Sequence, residues 1–287
     1  MSNTNRRETR GLLPRVRTAT PAFRIRAVGA SNVGRRREAN EDSYLMLPKN
    51  RLFIVADGMG GHAGGQVAST LTAQTCAQAV LRRLGEAERS SKATGRPVPV
   101  GDLIEASVRE ACARVYDTAR RNLHLSNMGS TVTFMLAYGE HLHLGHVGDS
   151  RAYLVRDGEI HQVTEDHSLV QEQVSQGIIT PEQAKVSMMR NIITRSIGYE
   201  REVQVDTAAL PVRPGDKILL CSDGLTGHVE DPEILDHVER LSLHQAPHAL
   251  IDLANRRGGD DNTTIVLAEI GGGRGKQRLK RRRRSSL

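Results

Sequence analysis

The sequence predicts a layered α+β fold, and three features of its 287 residues carry that prediction. Strand-like segments come in clusters joined by turn dipeptides, as at Gly139-Glu140 and Asp157-Gly158. Helical periodicity is also grouped, at 66–123 and again at 232–256, so strands and helices do not alternate as repeated βαβ units. No internal repeat is visible, and no apolar run approaches the ~18 residues of a membrane span.

Residues 1–23 are polar, Arg-rich and interrupted by Pro14 and Pro21, and read as a basic, disordered N-terminal segment. From Phe23 the chain alternates like a strand. Leu52 to Ala56 (LFIVA) is a short apolar run suited to a buried strand, followed by the glycine-rich turn Gly58 to Gly65. Gln66 to Leu84 has helical spacing. Residues 86–101 are polar with Pro and Gly and are expected to form a loop before a second helix at about Asp102 to Leu123. Strands are expected at Thr131–Tyr138, His141–Val147, Arg151–Arg156 and Glu159–Gln162. Residues 166–200 read as helices and loops, with Pro181 suited to a first helical turn. Strands return at Val203–Leu210 and Lys217–Cys221, helices follow near Pro232–Leu241 and Ala246–Arg256, and a last strand covers Thr263–Ile270. Gly271-Gly272-Gly273 reads as a hinge into the basic tail 271–287.

Hydrophobic residues make up 38% of the chain and Trp is absent, so the core must rest on Leu, Ile, Val and Ala. There is no apolar stretch of signal-peptide type at the N-terminus. The three cysteines, Cys76, Cys112 and Cys221, have no paired spacing and read as buried, reduced thiols of a cytoplasmic protein. Cys76 and Arg82 match a C-x5-R spacing, but the residues between them read as helix and not as a phosphate-cradling loop. The net charge of +7 is unevenly placed: residues 271–287 contribute +8 and residues 1–24 contribute +5, leaving 25–270 at −6. Basic ends suit contact with an acidic protein, anionic lipid or nucleic acid. An acidic body poor in aromatics does not suit base stacking.

Three carboxylate turns adjoin predicted buried strands. Asp57-Gly58 follows LFIVA, Asp223-Gly224 follows KILLC, and Asp260-Asp261-Asn262 precedes the final strand. Any one alone reads as an ordinary turn, as Asp157-Gly158 does in its hairpin. Three together can converge. Clustered carboxylates repel unless a cation joins them, and oxygen-only ligands select hard ions such as Mg²⁺ or Mn²⁺. Two such ions ~3.5–4 Å apart form a clamp for displacement at phosphorus.

Arg37-x-x-x-Glu41-Asp42, Asp57-Gly58-Met59-Gly60-Gly61-His62, Gly148-Asp149-Ser150-Arg151, Ser222-Asp223-Gly224 and Asp261-Asn262 occur in this order. In this the chain resembles the metal-dependent protein phosphatases (PPM, type 2C serine/threonine group), bacterial branch, over about residues 25–270. The resemblance implies a four-layer α-β-β-α sandwich of two antiparallel sheets, with a catalytic domain at 24–270. It also implies two to three Mn²⁺ or Mg²⁺ ions. Asp57 would bridge two of them, with the Gly58 carbonyl on one and Asp223 and Asp261 on the other; Asp149 with Asp223 would hold a third, weaker one. Glu41, Asp42 and Asn262 would support these ligands from behind. Arg37 would clamp the phosphate while a metal-bridging hydroxide attacks in line. Animal members carry His directly after Asp-Gly; here that residue is Met59, so His62 or a metal-bound water is left as proton donor.

Residues 165–200 resemble the family's variable flap, opened by Glu165 to Val170 and closed by Ile193 to Gly198, and are expected to border the substrate groove. Met188 and Met189 are expected to pack within it. His141, His143 and His146 lack a fourth ligand for zinc and read as a solvated strand face. The function implied is hydrolysis of phosphoserine and phosphothreonine on proteins by a cytoplasmic monomer opposing a Ser/Thr kinase. The alternatives are a non-catalytic phosphoprotein-binding module on the same fold, which would be expected to lose metal ligands, and a nucleic-acid-binding protein resting on the basic ends alone.

Overall fold

A computed structural model describes residues 23–60 and 63–272 of the chain. The strands are β1 (Phe23–Asn32), β2 (Ser43–Leu47), β3 (Leu52–Ala56), β4 (Gly58–Met59), β5 (Gly129–Ser130), β6 (Val132–Tyr138), β7 (His141–Val147), β8 (Arg151–Arg156), β9 (Glu159–Gln162), β10 (Asp206–Pro211), β11 (Lys217–Cys221) and β12 (Thr263–Gly272). The α-helices are α1 (Ala63–Thr94), α2 (Val100–Arg121), α3 (Leu169–Ser175), α4 (Pro181–Val186), α5 (Asp223–Thr226), α6 (Asp231–Arg240) and α7 (Gln245–Arg256).

Two antiparallel five-stranded sheets form the centre. The first has the order β1-β12-β11-β8-β9 and the second β10-β7-β6-β3-β2. Side chains alternate across each strand, and both faces of both sheets are covered. In β3, Phe53 and Val55 point between the sheets, whereas Leu52, Ile54 and Ala56 meet α1 and α2. In β11, Ile218 and Leu220 point inward, and Leu219 and Cys221 meet α5 to α7. Two-sided burial is why LFIVA and KILLC are continuous apolar runs instead of alternating ones. The result is the four-layer sandwich that the resemblance implied.

Several boundaries differ from the sequence reading. α1 does not stop near Leu84 but continues to Thr94, so most of the expected loop at 86–101 is helix. Its last turns are polar but rich in Glu, Ala, Arg and Lys, which favour helix. It ends where Gly95 adopts φ +72° and returns its N–H to Ser91 O at 2.8 Å. β2, an edge strand, has no pattern that announced it. Gly271 and Gly272 continue β12, opposite Arg24 and Phe23, and do not begin a hinge. Pro181 opens α4 behind a Thr180–Gln183 capping box. Met188 and Met189 are exposed and not packed within the flap. All three cysteines are free and buried. Burial pushes the Cys76 thiol up, which with its place inside α1 removes the C-x5-R reading. Among the described residues, no helix is long and apolar enough to cross a membrane. The calls on residues 1–22 and 273–287 lie outside the described residues.

Candidate metal centre

Strand register brings the carboxylates to one pole of the sandwich. β11 ends at Cys221, paired with Ile265 near the start of β12 and with Arg151 at the start of β8. Asp223, Asp261 and Asp149 therefore flank the same end of the first sheet. In the second sheet, Val55 near the end of β3 pairs with Thr133, and Val132 pairs with Val147. This places Asp57 beside the same end, with Gly148-Asp149-Ser150 crossing between the sheets. Asp157, at the opposite end of β8, turns its hairpin with φ +55°.

The turns are held by backbone bonds. Asp57 N–H donates to Thr131 Oγ1 at 3.0 Å, and Thr131 N–H donates to Asp57 O at 2.8 Å. Thr131 Oγ1 also lies 2.8 Å from Ser150 Oγ. Gly58 admits no side chain: a Cβ would sit 2.1 Å from Gly65 O and 2.5 Å from Glu41 O. Asn262, at the entry to β12, organises the loop that carries Arg37. Its Oδ1 accepts from Glu41 N–H at 2.7 Å, and its Nδ2 donates to Val33 O and Ala39 O at 2.9 and 3.0 Å. Arg37 Nη2 then donates to Asp261 Oδ2 at 2.7 Å. Asp42 is buried, and its Oδ2 accepts from Ser222 Oγ at 2.8 Å.

The electrostatics report one interacting cluster. Asp57 and Asp223 are half-buried. Desolvation followed by the charges of Asp42, Asp223, Asp149 and Asp261 holds the Asp57 carboxyl well above the usual carboxylate range. Burial, then Asp223 and Asp166, does the same to Asp149. Burial and Asp261 raise Asp223, opposed by a hydrogen bond with Asp57 and by Arg37. Burial pushes Asp42 up to about 7 against hydrogen bonds from Thr264 and Ser222, with Asp223 and Asp261 adding to the rise. Asp42 Oδ1, Asp149 Oδ1 and Asp223 Oδ1 are buried without a hydrogen-bond partner. Unpartnered buried carboxylate oxygens facing like charges are the environment a hard cation satisfies, so the residues fit such a group. Among the described residues no three His, Cys, Asp or Glu side chains form a tight cage around one point. Mg²⁺-like ions do not need one, because they keep several waters and bind through one or two carboxylates.

Of the residues singled out in the sequence, Arg37, Glu41, Asp42, Asp57, Gly58, Asp149, Asp223, Asp261 and Asn262 are brought together here; His62 lies outside the described residues. Sequence reasoning missed Thr131 and Thr264, and quoted Ser222 in a motif without the bond its hydroxyl makes to Asp42; all three act through residues far away in sequence. The histidines of β7 divide: His141 is exposed, His143 half-buried, and His146 is buried and not solvated.

The comparisons agree with this geometry. The family model described as protein phosphatase 2C matches residues 28–253. The serine/threonine protein phosphatase PstP of Mycobacterium tuberculosis is 39% identical over 249 residues, 86% of this chain. The chain spans 45% of that relative's length. The serine/threonine phosphatase Stp of Listeria welshimeri is 35% identical over 240 residues, 82% of this chain and 92% of its own. A solved structure of the PstP catalytic domain in complex with two manganese ions superposes with a TM-score of 0.71 at 37% identity, covering 87% of this chain and 99% of that one. With the motif order, the two-sheet sandwich and the carboxylate pole all in agreement, the chain belongs to the protein phosphatase 2C family.

Proposed function

We propose that this chain is a metal-dependent phosphatase acting on phosphoserine and phosphothreonine in proteins, with residues 24–270 as its catalytic domain. The observation that carries the reading is the convergence of Asp57, Asp223 and Asp261 beside the Arg37 guanidinium, with unpartnered oxygens on Asp223 and on the neighbouring Asp149 and Asp42. The two manganese ions of the PstP catalytic domain support it. Asp57 and the Gly58 carbonyl, with Asp223 and Asp261, would hold two Mn²⁺ or Mg²⁺ ions, and Asp149 with Asp223 a third, weaker one. When bound, such ions supply Lewis acidity and acidify water toward neutral pH. Arg37 orients the phosphoryl group, its planar fork matching two oxygens. Glu41 and Asp42 hold water around the ligands, and Asn262 fixes the loop that presents Arg37. His62 is the side chain nominated to protonate the leaving oxygen, with water as its competitor.

The flap between Glu165 and Gly198 borders this site at its base, where Asp166 acts on Asp149 and Asp223. Exchanging residues 167–190 should change substrate preference; an unchanged preference counts against that role. The buried free cysteines suit a reducing, cytoplasmic setting, in which a monomer would act opposite a Ser/Thr kinase. The basic ends would contact an acidic protein, anionic lipid or nucleic acid. Phosphate release from a phosphothreonine peptide tests the reading, with Mn²⁺ and with EDTA, for wild type and Asp223→Asn. Turnover that needs Mn²⁺ and is lost in the variant is the expected result. Folded protein inactive with every divalent cation would replace the enzyme with a phosphoprotein-binding module.

A further inference from the structure

Both backbone polar groups of Gly148 are taken by one flap residue. Gly148 N–H donates to His167 Nδ1 at 3.0 Å, and His167 N–H donates to Gly148 O at 2.8 Å. Gly148 itself has φ +112°, and a Cβ there would meet Thr131 Cβ at 2.6 Å, so only glycine allows this turn. The side chain of His167 is 1% exposed. Because Nδ1 accepts, the neutral ring carries its proton on Nε2. Nε2 lies 3.1 Å from Asp206 Oδ2 and donates to it.

Asp206 is the first residue of β10 and pairs with His146 of β7. Its other oxygen, Oδ1, accepts from Arg195 Nη1 at 2.9 Å. Thr194 N–H also donates to His167 O at 2.8 Å. The two ends of the flap therefore close on one carboxylate rooted in the second sheet. His146 lies against the His167 ring, centroids 4.7 Å apart, and bonds Thr133 Oγ1 at 3.0 Å and Glu165 O at 3.1 Å. Between them the two histidines tie the flap base to β6, β7, β10 and the Gly148 turn.

We propose that His167, anchored on Asp206, is a positioning residue that couples the flap base to the Gly148-Asp149 turn and so sets the strength of the weakest cation site. The main-chain bonds of residue 167 would survive any side chain, but a histidine that merely fills space would neither accept from Gly148 N–H through Nδ1 nor meet through Nε2 the carboxylate that Arg195 also holds. The metal half of the proposal rests on Asp149 being a cation ligand, as argued above; the backbone half does not. Outer groups that orient metal ligands are worth about 10–100-fold in affinity.

The test uses full-length protein in three variants. His167→Ala removes the ring. His167→Asn keeps an acceptor near the position of Nδ1. Asp206→Ala removes the anchor but keeps the ring. Amide exchange in the metal-free protein should show Gly148 and Thr194 losing protection in His167→Ala, Gly148 recovering it in His167→Asn, and Thr194 losing it in Asp206→Ala. Calorimetric titration with Mn²⁺ should show the weakest binding event weakened about tenfold in His167→Ala and Asp206→Ala, and largely restored in His167→Asn. Exchange and weakest-site affinity unchanged in His167→Ala would overturn the proposal, as would His167→Asn behaving like His167→Ala in both. If His167→Ala does not fold, His167→Asn and Asp206→Ala decide it, the proposal failing if Thr194 protection and Mn²⁺ affinity survive Asp206→Ala. Wild-type protein that takes up no Mn²⁺ would refute the proposed metal chemistry, and Gly148 and Thr194 exchange would still decide the coupling.

Discussion

Replacing Asn262 separates the role of shape at the site from the role of hydrogen bonding. Asn262 is 4% exposed, and its side chain makes three bonds, accepting from Glu41 N–H and donating to Val33 O and Ala39 O. Asn262→Ala strands one backbone donor and two acceptors. At roughly 0.5–1.5 kcal/mol net for each bond, the loss is about 1.5–4.5 kcal/mol. Asn262→Asp is nearly isosteric and keeps the acceptor for Glu41, but it turns an oxygen toward two carbonyl oxygens and adds a negative charge beside Asp261. It is therefore expected to be at least as damaging as Asn262→Ala, the reverse of a ranking by shape. Urea unfolding in EDTA measures stability without metal linkage. The same variants, loaded with Mn²⁺, should raise KM for a phosphopeptide more than they lower kcat, because the released loop carries Arg37. An Asn262→Asp protein within about 0.5 kcal/mol of wild type would refute the reasoning.

Other perturbations follow from the same geometry. Gly224→Ala would place a Cβ 2.0 Å from Asn262 O, so it should destabilise by about 1–3 kcal/mol, visible as a lower urea midpoint. Phe53→Ala opens a cavity between the sheets, where Phe53 is fully buried, and should cost about 3–5 kcal/mol with the metal affinity of the folded fraction kept. Burial, then the neighbouring His167, holds His146 down at about 3. The unfolded chain takes up that proton near pH 6.5 while the folded chain refuses it, so stability falls as pH drops from about 6.5 toward 3. The slope is at most about 1.4 kcal/mol per pH unit. His167, held below its ordinary value mainly by burial, adds in the same direction. His146→Gln should flatten the slope between pH 7.5 and 5; an equally steep fall in the variant would show that other groups carry it.

The sequence made legible what burial and chain-local chemistry determine. LFIVA and KILLC announced themselves because helices cover one face of each sheet and the other sheet covers the other. Asp57, Asp223 and Asp261 stood out together, as three carboxylate turns adjoining buried strands, although any one of them alone reads as an ordinary turn. Asp157 shows how little the dipeptide alone says: the same Asp-Gly pair lies at the far end of β8, and only strand register separates the two cases. The end of α1 was hidden because residues 86–94 are polar whether helical or not. Thr131, Ser222 and the work of Asn262 were hidden because their partners lie far away in sequence, as with Ser222 and Asp42, 180 residues apart. His167 lay within a recognised segment, but its link to Gly148 exists only once β7 and the flap are folded together.

The carboxylate pole also makes folding and metal binding one equilibrium. Asp57, Asp149, Asp223 and Asp42 all have folded-state values above those of an open chain, with burial the leading cause. A raised folded value means the group contributes stability that is fully present below its unfolded value near pH 4. That contribution is lost as pH rises through the folded value, which is about 7 for Asp42. Where these aspartates hold cations as proposed, protons and cations compete for the same oxygens. In metal-free protein at pH 8 Asp42 has passed its folded value and is mostly ionised, so its charge opposes folding, and Mn²⁺ should relieve that opposition. At pH 5 protons already relieve part of it, so Mn²⁺ binds less tightly and adds less. Ligand at about 100 times its Kd contributes about 2.7 kcal/mol, so the shift in Tm between Mn²⁺ and EDTA should be several degrees at pH 8 and clearly smaller at pH 5. His146 and His167 titrate in both the Mn²⁺ and EDTA samples, so their effect cancels in that difference and leaves the carboxylates. A Tm shift of the same size at both pH values would mean that the cation does not displace protons from this cluster, and the assignment of Asp57, Asp149 and Asp223 as its ligands would fall with it.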